Sequence, residues 1–148
     1  MVEVTLGITA EHMEEVYSHP SIQKLKTDHS ELSPIYNPLV SYYSAWNDGV
    51  FVGAFLVVKN TPLDSEIHIL LFPSSVRVYR DLCKIVIMES LKNSNRVTAK
   101  VFSDLHSIVN LVKKLGFKYE GRIREMFLQN GIKKDVLIYG LLKSEWEA

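Results

Sequence analysis

The chain has 148 residues, enough for one core and cramped for two, so residues 1–148 are read as one domain. Hydrophobic residues make up 47% and charged residues 23%, an ordinary globular composition that excludes a disordered chain. Lys plus Arg and Asp plus Glu number 17 each, so the zero net charge excludes a general nucleic-acid binder gripping phosphates through a basic excess.

The single cysteine, Cys83, cannot form an intramolecular disulfide, which fits a reducing compartment. The N-terminus, MVEVTLGITAEHMEE, turns acidic at once and lacks the apolar core of a signal peptide. No apolar run approaches the roughly 18–20 residues that cross a bilayer. A cytoplasmic protein, or one packaged from a cytoplasm, is expected.

Val2, Val4 and Leu6 alternate with polar residues and predict a first strand. Thr9 is placed to cap a helix, with Glu11 against the positive end of its dipole and Met13, Val16 and Tyr17 on its apolar face. Pro20 breaks that helix or opens the next, where Ile22 and Leu25 face inward. Residues 27–38 (TDHSELSPIYNP) are rich in turn formers and predict a long irregular loop.

Residues 40–46 and 50–58 then read as a hairpin around Asn47-Asp48-Gly49, with Gly49 supplying a positive φ. Asn60-Thr61-Pro62 ends the second strand, and residues 66–72 form a third that Pro73 stops. From Tyr79 to Leu91 the period is helical, with Cys83, Val86, Ile87 and Leu91 on one side. Val97, Ala99 and Val101 alternate as a short strand.

A helix capped by Ser103 or Asp104 is expected next, burying a stripe of Leu105, Ile108, Val112 and Leu115 and stopping at Gly116. Two last strands, around 118–128 and 133–142, meet at Asn130-Gly131, a type I′ signal. The order β-α-α-β-β-β-α-β-α-β-β places the chain in the α/β (α+β) class, with a mixed sheet and helices on both faces.

That order resembles the GCN5-related N-acetyltransferase (GNAT) superfamily, whose central sheet is mixed and mostly antiparallel. The C-terminal third carries the local resemblance, through Leu115, Gly116, Phe117, Glu120, Gly121, Arg124, Asn130, Gly131, Asp135, Glu145 and Trp146. A narrower resemblance, through Glu66-Ile67-His68 and the same C-terminal block, is to GNAT-like proteins of tailed phages associated with head assembly or DNA delivery. The first resemblance implies acetyl-CoA and an amine substrate; the second implies phage structural proteins as partners and a place in the host cytoplasm or virion.

In the family, acetyl-CoA pyrophosphate sits at the start of the helix after the central strand, on a glycine-bearing loop whose N–H groups form a nest. The matching segment runs Pro73-Ser74-Ser75-Val76-Arg77-Val78-Tyr79-Arg80-Asp81 and has no glycine. The resemblance places the cofactor against Ser75, Val76, Arg77, Val78, Tyr79 and Arg80. The β-branched Val76 and Val78 resist positive φ, and Asp81 repels phosphate. Arg77 and Arg80 either hold phosphate through their guanidinium groups or are simply solvated. Where the family carries an Asn, a Ser and a thiolate-protonating Tyr, this chain has Leu105, Ile108 and Val112.

The candidate catalytic residues are Glu66, His68 and Tyr119. Glu66 and His68 lie two apart on a strand, so they share a face and form either a base with its orienter or a structural ion pair. Tyr119 and Tyr139 are candidate proton donors or rim-packing tyrosines. Glu120 and Arg124 share a strand face and either guide an amine or pair with each other. Cys83 reads as a buried inert thiol. The histidines show no metal-ligand spacing, so no metal is expected. A homodimer would draw its anchors from Tyr36, Tyr42, Tyr43 and Trp46.

Overall fold

The computed structural model describes residues 1–146. Seven strands form one sheet in the order β1-β2-β3-β4-β5-β7-β6. In chain order these are β1 (Val2–Leu6), β2 (Val40–Asn47), β3 (Val50–Thr61), β4 (Asp64–Leu71), β5 (Arg96–Phe102), β6 (Lys118–Gln129) and β7 (Ile132–Leu142). Only β4 and β5 run parallel; the other pairs are antiparallel. The sheet is therefore mixed and mostly antiparallel, with helices on both faces, as the sequence predicts.

Helix α1 (Ala10–Ser18) starts where Thr9 Oγ1 accepts from the His12 N–H at 3.1 Å. Pro20 opens α2 (Pro20–Gln23) at its first position. Together they bury Met13, Val16, Tyr17 and Ile22 on Tyr42, Ala54, Leu56, Leu70 and Phe72, which covers β2, β3 and β4 on one face. On the other face, α3 (Tyr79–Leu91) and α4 (His106–Lys114) build the larger core around Phe55, Leu82, Val86, Ile87, Val97 and Leu141. Cys83 lies in that core, and burial pushes its thiol up to about 12.

Both hairpin turns have the predicted handedness: Asp48 and Gly49 at φ 50° and 80°, Asn130 and Gly131 at 53° and 75°. Helix α4 differs at its start. Leu105, whose apolar side chain can accept no bond, is the N-cap, and Asp104 instead pairs with the Lys134 ammonium. The inward stripe also shifts, with Val109, Val112 and Leu115 buried and Leu105 and Ile108 only partly so. At its end, the N–H groups of Gly116 and Phe117 donate to the carbonyls of Lys113 and Val112, and Phe117 folds into the core.

Among the described residues, no helix is long and apolar enough to cross a membrane. Of the four aromatic residues proposed as dimer anchors, Tyr36 alone is largely exposed, at 78%. Tyr42 is buried, its hydroxyl 2.9 Å from that of Tyr17, and Trp46 donates to Thr5 Oγ1 at 3.0 Å. Both serve the fold of the N-terminal half.

Candidate functional site

The parallel pair β4–β5 sets the geometry. Its ladder joins Asp64, Ser65 and Glu66 to Arg96, Val97 and Thr98, and beyond those pairs no ladder connects the two strands. The Phe72 N–H donates to the Val52 carbonyl at 2.9 Å, which fixes the alternation along β4. Even-numbered residues bond β3, so Ile69 turns its N–H and C=O toward the gap, joined by the Ile67 carbonyl. Both isoleucines are half-buried against the α3/α4 core.

Glu66 stands where the strands part. It is 7% exposed, and three neighbours converge on its carboxylate. His68 Nε2 lies 2.7 Å from Oε2, while Asn60 Nδ2 donates to Oε1 at 3.0 Å and the Lys100 ammonium lies 3.3 Å from Oε1. Burial alone would raise the Glu66 pKa, but the bonds from His68 and Asn60 and the charges of His68 and Lys100 outweigh it and hold it at about 2. A carboxylate so strongly ionised is a weak proton acceptor near neutrality. It can instead orient the imidazole, whose side chain remains 38% exposed.

Neither Asn60 nor Lys100 was singled out in the sequence. Asn60 is the extra residue of a bulge between Lys59 and Thr61, and the bulge turns its amide onto Glu66. Lys100 reaches over from β5. Its signal was the alternation of polar Thr98 and Lys100 with Val97, Ala99 and Val101, which marks one face of β5 as polar.

At the foot of the gap Arg96 forms a knot. Its guanidinium bonds Glu120 at 2.6 and 3.1 Å and Asp64 at 3.2 Å, and Thr98 Oγ1 donates to Asp64 at 2.6 Å. Glu120 therefore pairs with Arg96 and not with Arg124. Asp135 instead accepts from Arg122 Nε at 2.7 Å and from the Glu125 N–H at 2.8 Å, holding a bulge in β6 at which Glu125 has φ 50°.

Tyr119 is not part of this constellation. It pairs in register with Tyr139, which packs into the α3/α4 core, whereas Glu66 and His68 lie on the α1/α2 face. Three strand spacings of about 4.8 Å also separate β6 from β4. Tyr119 and His68 therefore stand on opposite faces of the sheet. Val112 is buried and carries no proton, so α4 contributes no donor there either.

The segment after β4 folds as a 3₁₀ turn, Pro73–Val78, leading straight into α3. No residue in it has positive φ, and the N–H groups of Ser75 and Tyr79 are spent on the carbonyls of Phe72 and Val76. The Ser75 hydroxyl is turned inward to the Phe72 carbonyl at 2.8 Å. The Tyr79 hydroxyl bonds the Leu71 carbonyl at 3.2 Å, and Val78 is half-buried. Val76, Arg77 and Arg80 are exposed, so of the six residues only the two arginines offer charge to an anion. Among the described residues, no group of His, Cys, Asp and Glu is arranged to hold a metal.

No protein-family model and no curated protein matches the chain. Solved structures do. Mutant forms of the spermidine/spermine N-acetyltransferase SpeG from Vibrio cholerae superpose with a TM-score of 0.82, over 99% of this chain and 97% of that one, at 15% identity. The spermidine N-acetyltransferase from Vibrio cholerae in complex with CoA and spermine gives 0.80, over 97% and 96%, also at 15% identity. The chain has the N-acetyltransferase fold. Within that fold the 3₁₀ turn at Pro73–Val78 and the buried Val112 on α4 are properties of this sequence.

Proposed function

We propose that the chain transfers an acetyl group from acetyl-CoA to an amine, with His68 as the proton acceptor and Glu66 as the group that orients it. The observation that carries this reading is the Glu66–His68 pair, 2.7 Å apart, standing where β4 and β5 separate in an N-acetyltransferase fold. Acetyl-CoA would supply the thioester: the amine nitrogen bonds the acetyl carbon, the carbon–sulfur bond breaks, and the thiolate leaves.

His68 takes the proton that the amine loses, directly or through one water, while Glu66 keeps the ring in place and balances the charge it gains. The exposed backbone groups of Ile67 and Ile69 provide a strand edge for an extended arm bearing amides. Arg77 and Arg80 offer charge-assisted bonds to phosphate in place of a backbone nest. The buried thiol of Cys83, with no partner for a disulfide, supports a cytoplasmic setting.

Calorimetric titration of acetyl-CoA tests the reading. Binding is expected, and Arg77→Ala with Arg80→Ala should weaken it. His68→Ala should leave binding intact and lower kcat by about 10²-fold or more. No heat at millimolar acetyl-CoA would sink the proposal.

One observation favours a second reading, a non-catalytic descendant of the fold acting in assembly, including the phage head assembly that the narrower resemblance implies. It is the 3₁₀ turn at Pro73–Val78, whose N–H groups are partly spent and whose β-branched valines resist the positive φ that a nest can require. Under that reading Glu66→Gln with His68→Ala leaves biological activity intact, and loss of activity in a stably folded double variant counts against it.

A further inference from the structure

The face of the sheet around His68 narrows which amines can reach it. By register, Lys100 and Phe102 on β5 share that face with His68, and Ile138 and Val136 on β7 lie directly opposite them. Helices α1 and α2 cover this face over β2, β3 and β4, while α3 and α4 pack on the other face, so among the described residues no helix packs on the floor beyond β5. Phe102 and Ile138 are half-buried, and Phe127 from β6 meets Phe102 edge-on at 5.8 Å. Past Lys100, the floor is apolar.

The strand carboxylates beside His68 are engaged: Glu66 is shared among Asn60, His68 and Lys100, and Asp64 and Glu120 are held by Arg96. A polycation entering here would shed water from several ammonium groups and find these strand carboxylates already paired. It would also meet the Lys100 ammonium, which is 45% exposed and adjoins the same carboxylate as His68.

We propose that the acceptor is a monoamine on an apolar body, its nitrogen at His68 and its body on Phe102 and Ile138, and that polyamines are poor acceptors. This rests on the acetyl-transfer reading above. The step is unchanged: nitrogen bonds the acetyl carbon, the thiolate departs, and the amine proton goes to His68.

The test uses the full chain. Acetyl-CoA binding is measured first by calorimetry, and CoA thiol release is then followed with phenethylamine and with spermidine. Phenethylamine should exceed spermidine in kcat/KM by at least about tenfold. Ile138→Glu should reverse the preference, with acetyl-CoA affinity unchanged to show that the fold survives. Lys100→Gln should separately raise spermidine turnover several-fold. Preference for spermidine, or turnover of neither amine by a chain that binds acetyl-CoA, overturns the proposal. Failure to bind acetyl-CoA instead overturns the acetyl-transfer reading, and the acceptor proposal falls with it.

Discussion

Replacing Glu66 by Gln removes a charge held by three neighbours at 7% exposure. The carboxyl falls from its ordinary 4.5 to about 2 on folding, and at about 1.4 kcal/mol per pH unit this linkage is worth about 3 kcal/mol. Because the folded value is the lower one, the contribution is complete above about pH 4.5 and is lost as the pH falls through about 2. Glutamine has no such dependence. Urea unfolding of both proteins between pH 2 and 7 reads the difference: the stability gap should be widest near neutrality and shrink by about 3 kcal/mol toward pH 2. Parallel stability curves across that range would refute the idea that His68, Asn60 and Lys100 hold this carboxylate ionised.

Cys83, buried and pushed up to about 12, should resist a thiol reagent at pH 8 until the chain is unfolded; rapid labelling of the native protein would overturn its placement in the core. Gly53 sits at φ 127° with its α-carbon against the neighbouring strand, where an added Cβ would lie 2.5 Å from the Leu70 carbonyl oxygen and 2.7 Å from Leu71 Cα. Since those atoms are backbone and cannot swing aside, Gly53→Ala should cost about 3 kcal/mol or more and lower Tm by about 10 °C, and a Tm near that of the parent would contradict the β3–β4 register.

Local chemistry made much of the fold legible. The two turns could be read because a type I′ turn demands positive φ, and Asp48-Gly49 and Asn130-Gly131 meet that demand without tertiary help. Thr9 and Pro20 fixed the N-terminal helices for the same reason. The start of α4 was misread because Asp104, a good cap in isolation, is claimed by Lys134 from β7, thirty residues away. Propensity lost there to a tertiary charge.

The site was legible only as far as one strand carries it. Period-two alternation put Glu66 and His68 on one face, whereas the faces of β5 and β6 relative to β4 depend on a parallel crossover and on two irregularities in β6. Lys100 was missed for that reason, and the same ambiguity hid that Tyr119 stands on the opposite face from Glu66 and His68. Asn60 was missed because a bulge re-aims it, and nothing in Asn60-Thr61-Pro62 distinguishes a bulge from a simple strand end.

The two features on which the proposed function rests are set by separate parts of the chain. The proposed base and its orienter depend on β4–β5 pairing up to Glu66 and Thr98, which the α3 crossover and the Arg96 knot enforce. The proposed phosphate contact depends on the turn after Leu71, whose amides are partly consumed whether or not the strands part. A phosphate contact through Arg77 or Arg80 is charge-assisted, worth about 1.5–3 kcal/mol, and is made by a flexible side chain. Such contacts can replace the affinity of a nest but not its rigidity. A chain with this loop would hold the thioester mainly through the strand edge at Ile67 and Ile69, so substitutions that close the gap between β4 and β5 should harm it more than substitutions at the arginines.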